Sequence, residues 1–130
     1  MRIKRPDRKN ALSIVEAAER EMKFTLTLNV DEESSSTIVR NIYECFRMIG
    51  DALLVNEGIE SSDHLAPINE LLKLKINTAR PLNLIDNLRR LRHNINYYDY
   101  NTNLIEVKDA LSLAKVLFIP LLKEIKKRIE

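Results

Sequence analysis

An all-α fold is predicted by three features of this 130-residue sequence. Only two glycines and four prolines are present, little material for hairpins or linkers, while Leu, Ile, Glu, Lys and Arg dominate. Apolar residues also recur at steps of three and four in five successive segments, the spacing of a helix face. The short breaks between the segments predict an up-and-down bundle of four long helices with one short extra helix, in a single domain spanning residues 1–130.

The first helix starts near Asp7 and carries the stripe Ala11, Val15, Ala18, Met22 and Leu26. Residues 22–30 then alternate apolar and polar, the period of a strand. A lone strand has no partner elsewhere in the chain, so the expectation is that the helix continues. Acidic Asp31, Glu32 and Glu33 sit where a second helix begins, which suits its dipole. That helix presents Ile38, Ile42, Cys45, Phe46, Ile49, Ala52 and Leu53, and Gly58 supplies its stop.

Ser61, Ser62 and Asp63 are caps for a short third helix through roughly Lys75. Pro67 is tolerated near its first turn, and His64 is read as a local hydrogen-bonding residue at its start. Residues 78–81 break the chain again. Asn103 with Glu106 matches a capping box for the last helix, whose core face is Val107, Ala110, Ala114, Leu117, Leu121 and Ile125. Pro120 should kink it.

Composition sets bounds on function. Lys and Arg number 21 against 19 acidic residues, too even a balance to argue for nucleic acid by itself. The basic clusters at both ends read as solvated, flexible termini. One cysteine, Cys45, can form no internal disulfide, which points to a reducing interior and a cytoplasmic protein. No signal peptide is evident, and the longest apolar run, residues 116–122, is too short to span a bilayer. Two isolated glycines build no phosphate loop, and no Cys/His set has zinc-ligand spacing, so neither metal nor cofactor is expected.

The stretch 84–100 is where function concentrates, and the sequence alone suggests that the fold is organised around it. Leu84, Leu88, Leu91, Ile95 and Tyr98 make its apolar stripe, with Arg92, Asn96 and Asp99 along one flank and Arg89 beyond them. His93, Tyr97 and Tyr100 project from the far side. Arginine can fork onto a phosphate, asparagine can donate beside it, and tyrosine can stack on a base. Arg92, Arg89 and Asn96 are therefore the candidate phosphate- or nucleotide-binding residues, and Arg92, Tyr97 and His93 the candidate catalytic set. Asp86 lies three and four residues before Arg89 and Arg90 and could hold either as a surface ion pair. Arg92 and Asp99 could likewise pair with each other while the tyrosines pack an interface.

The run Arg92, His93, Asn94, Ile95, Asn96, Tyr97 resembles the arginine-containing signature of HEPN domains (higher eukaryotes and prokaryotes nucleotide-binding), helical bundles found in many microbial toxin–antitoxin pairs. The order Ala52, Leu53, Leu54, then Gly58, then Ser62, Asp63 and His64 is similar to the family as well. In its nucleases an arginine and a histidine line a cleft that a symmetric dimer completes; here Tyr97 stands where that histidine would be, and His93 follows the arginine directly. An unperturbed tyrosine, with a pKa near 10, is a poor proton shuttle at neutral pH. The resemblance implies a non-catalytic or weakly active HEPN-like homodimer that binds a minimal nucleotidyltransferase partner and nucleotide or RNA. The alternative is a metal-independent endoribonuclease toxin, and the residual reading is a helical dimeric scaffold.

Overall fold

The computed structural model describes residues 2–61, 63 and 65–130. It is mostly helical, 71% of the chain. The elements are β1 (Arg2–Ile3), α1 (Arg8–Thr25), α2 (Ser35–Asn56), β2 (Ile59–Glu60), α3 (Leu65–Leu72), α4 (Ile85–Tyr97), α5 (Leu104–Leu113) and α6 (Ile119–Ile129). A 3-10 turn, Leu82–Leu84, leads into α4, and a π turn, Ala114–Phe118, joins α5 to α6. Among the described residues no helix is long and apolar enough to cross a membrane. The roles expected of Ser62 and His64 lie outside the described residues.

Local chemistry accounts for most boundaries. Asp7 caps α1 by accepting from the Asn10 backbone N–H at 2.9 Å. Asp63 does the same for α3, accepting from Leu65 and Ala66. Asn103 and Glu106 form the reciprocal capping box at α5. The π turn falls just before Pro120, whose missing N–H and ring would otherwise disturb the bond to the Val116 carbonyl; a wider turn there keeps one continuous helix.

The alternating segment after Met22 is neither strand nor continued helix beyond Thr25. Thr25 Oγ1 donates to the Glu21 carbonyl and Thr27 Oγ1 to the Phe24 carbonyl. Leu28 N–H reaches the Thr25 carbonyl. The polar half of the alternation is spent closing a turn, which ends in the Asn29, Asp31 and Ser34 network that starts α2.

The helix at the centre is α2, not the stretch 84–100. It contacts α1, α3, α4, α5 and α6, and it buries Ile38, Val39, Ile42, Tyr43, Cys45, Phe46, Ile49, Ala52, Leu53 and Leu54. By contrast α4 buries only Ile85 and Leu88. Phe46 meets Phe118 edge to face, ring centroids 5.6 Å apart. Gly50 is buried where α2 meets α3, and a Cβ there would fall on the Pro67 carbonyl. Burial pushes the Cys45 thiol up to about 12, so it packs as a protonated, inert side chain.

The N-terminal leader is not a free arm. Arg2 pairs with Glu60 and Ile3 with Ile59 in an antiparallel ribbon. Lys4 N–H donates to the Gly58 carbonyl at 2.5 Å, and Lys4 Nζ pairs with Glu60 at 3.0 Å. Gly58 has φ +77°, and its missing side chain makes room for the Lys4 carbonyl. At the other end Ile129 is buried, Lys126 pairs with Glu19 at 2.9 Å, and Arg8 Nε donates to the Ile129 carbonyl. Both basic termini are thus strapped to the body.

Candidate functional site

Which way α4 faces decides the site. Its buried residues Ile85 and Leu88 stand three apart, and four further on the same arc comes Arg92. The buried face is therefore rotated toward Ile85 compared with the stripe read from sequence; Leu91 and Ile95 are half-buried at its edge. Arg92 is not on a flank. It lies on the face turned to α2, half-buried, with its guanidinium carbon 5.6 Å from the centroid of the Tyr43 ring.

Three arginines surround Tyr43, and their charges act on its phenol. Two are already neutralised. Arg89 Nε donates to Asp86 at 2.7 Å, and Arg90 pairs with the other Asp86 oxygen at 3.1 Å. The Arg89 hydrogen bond holds the Asp86 carboxyl below the usual range. Arg47 is held by Glu44 and by Asp51, which raises its own pKa further. Arg92 has no carboxylate partner among the described residues, and the ion pair with Asp99 that the spacing allowed does not form.

Tyr43 is completely buried, and its hydroxyl finds no hydrogen-bond partner among the described residues. Burial pushes its pKa up, with Arg92 offsetting part of that rise. Sequence reading missed this residue. Its only signal was a tyrosine set into the apolar face of α2 beside Ile42 and Phe46, where its hydroxyl would have to find a partner.

The aromatic side of the helix is solvent-facing. His93 is exposed and lies against Tyr97, centroids 4.7 Å apart, and against the edge of Tyr98 at 5.7 Å. Tyr97 and Tyr98 are 65% and 71% exposed, so Tyr98 is no part of a buried stripe. The helix ends at Tyr97 because Asp99 takes a left-handed conformation, φ 52°, and both Tyr98 and Tyr100 N–H groups turn back to the Asn94 carbonyl. Tyr100 then leaves the aromatic group: its hydroxyl donates to Glu106 at 2.7 Å, joining the α5 cap. Asn96 is exposed beside Arg92.

The arrangement can bind an anion more readily than it can move a proton. Arg92 offers an uncompensated, half-desolvated fork. His93 points about 100° around the helix from Arg92, and Tyr97 about 140°. No carboxylate orients His93 among the described residues. The described residues include no group of three His, Cys, Asp or Glu side chains able to hold a metal ion. Comparison of the chain with protein-family models, curated proteins and solved structures finds no match.

Proposed function

We propose that this chain is a non-catalytic or weakly active HEPN-like subunit, a four-helix bundle with a short extra helix, that binds the phosphate of a nucleotide or RNA through Arg92. One observation carries the reading: Arg92 is half-buried over Tyr43 without a carboxylate partner among the described residues, while Arg89 and Arg47 are both paired. A half-buried guanidinium with no carboxylate partner among the described residues suits an incoming anion. On the solvent side of the same helix, the exposed rings of His93, Tyr97 and Tyr98 suit an unpaired base, which stacks without sequence preference. The same exposed tyrosines suit a symmetric contact with a second copy, and the resemblance to toxin–antitoxin pairs makes a minimal nucleotidyltransferase the expected heterologous partner.

The discriminating experiment is RNA cleavage in the presence of chelator, comparing wild type with Arg92→Ala, His93→Ala, Tyr97→Phe and Tyr97→His. The proposal expects little or no wild-type cleavage and a gain in Tyr97→His, which restores the family's histidine. Robust wild-type cleavage lost in both Arg92→Ala and His93→Ala would establish the endoribonuclease instead.

A further inference from the structure

Tyr43 poses a problem that packing alone does not solve. Phenylalanine would fill the same space between α2 and α4 without burying a hydroxyl that has no partner among the described residues. The charges of Arg92, Arg89 and Arg47 act on the phenol, with Glu44 as the opposing charge. Of these only Arg92 has no carboxylate partner among the described residues, since Asp86 holds Arg89 while Glu44 and Asp51 hold Arg47. Arg92 keeps its place over Tyr43 by resting on the ring face, a contact worth less than a fork onto an anion.

Resting on the phosphate-binding reading above, we infer that Tyr43 is a second binding residue of that site: Arg92 leaves the ring face to fork onto a phosphate, and the uncovered Tyr43 hydroxyl donates to a phosphate oxygen. The hydroxyl without a partner and the arginine without a carboxylate among the described residues would then both be served by the same ligand group. A phenolic O–H beside a guanidinium is a good donor to an anionic oxygen, and the arrangement is inaccessible until the anion arrives. The ligand class is a phosphate ester, diester in RNA or monoester in a nucleotide.

The test measures binding of a fluorescent single-stranded RNA, with adenosine monophosphate and inorganic phosphate as competitors, for wild type, Tyr43→Phe, Arg92→Ala and the double variant. Tyr43→Phe is expected to melt no lower than wild type, since it removes only an unpaired hydroxyl, yet to bind RNA about tenfold more weakly, the size of one hydrogen bond to a charged group. The double variant should bind no worse than Arg92→Ala, because the hydroxyl acts only once Arg92 has moved. Competition by the monophosphate would assign the site to nucleotides, and its absence to RNA. Tyr43→Phe binding like wild type while Arg92→Ala binds weakly would overturn the Tyr43 assignment and leave the phosphate reading standing. Wild-type binding by Arg92→Ala would remove both. Should Tyr43→Phe fail to fold, ring-13C tyrosine spectra answer the same question, with signals assigned through Tyr97→Phe, Tyr98→Phe and Tyr100→Phe. The Tyr43 ring carbon bearing oxygen must shift on RNA saturation, and a fixed signal would overturn the assignment.

Discussion

The Arg92 guanidinium lies over the ring of Tyr43, 5.6 Å from its centroid, and joins a peripheral helix to the central one. That contact makes an arginine part of the α2–α4 interface without neutralising it. Its structural contribution should be modest, about 0.5–1 kcal/mol for a partly exposed cation–π pair. Arg92→Ala is therefore expected to remain folded, with a urea-unfolding free energy within about 1 kcal/mol of wild type. A loss several times larger would mark Arg92 as chiefly structural.

Gly50 tests the packing of α3 on α2. A methyl group there would overlap the Pro67 carbonyl, which is backbone and cannot rotate away. Gly50→Ala should cost roughly 1–3 kcal/mol even though alanine favours a helix, because overpacking outweighs propensity. Chemical denaturation of the two proteins measures it; a neutral or stabilising change would show that α3 does not sit where the structure has it.

Asp86 tests the ion pairs that occupy Arg89 and Arg90. The hydrogen bond from Arg89 holds the carboxyl below its ordinary 3.8, against the opposing effect of burial. The unfolded chain binds that proton more readily, so the contribution is complete above about pH 5 and is lost as pH falls through the folded value. Asp86→Asn should lower stability at neutral pH by about 0.5 kcal/mol, with the gap closing toward pH 2. Thermal melts of both proteins across that range check the sign; a gap that widened toward acid would contradict the pairing.

Much of the helical frame was legible in the sequence, and the reasons are local. The caps at Asp7, Asp63 and Asn103 are single-residue chemistry, and the α2 stripe holds its period through Leu53 because every member faces the core. The centre of the fold was not legible. The 84–100 stretch looks central through its density of charge and aromatics, but burial is set by neighbours, and α2 has them on all sides. Leu84 and Ile85 are both apolar, so the rotation of α4 could not be read, and with it the inward turn of Arg92. The end of the helix at Tyr97 depends on Asp99 tolerating a left-handed backbone, which its sequence permits without requiring. Spacing also cannot say which of three nearby arginines stays unpaired: Asp86 is within reach of two of them and takes both.

The proposed homodimer would use the exposed rings at the end of α4. Tyr97 and Tyr98 are both largely exposed, whereas the Tyr100 hydroxyl is tied to Glu106. Light scattering at micromolar concentration is expected to report about twice the 15.1 kDa chain mass. Tyr97→Asp combined with Tyr98→Asp should return the mass to that of one chain while the helical circular dichroism is kept. A wild-type monomer at that concentration would rule out the homodimer.

The central claim, an unpaired Arg92 that receives a phosphate, is tested most directly by the salt dependence of RNA binding. Wild type and Arg92→Ala are titrated with the same single-stranded RNA across a series of salt concentrations, and log affinity is plotted against log salt. One lost phosphate contact should weaken binding and make the slope shallower by about 0.7. Equal affinities and equal slopes for the two proteins would contradict the account.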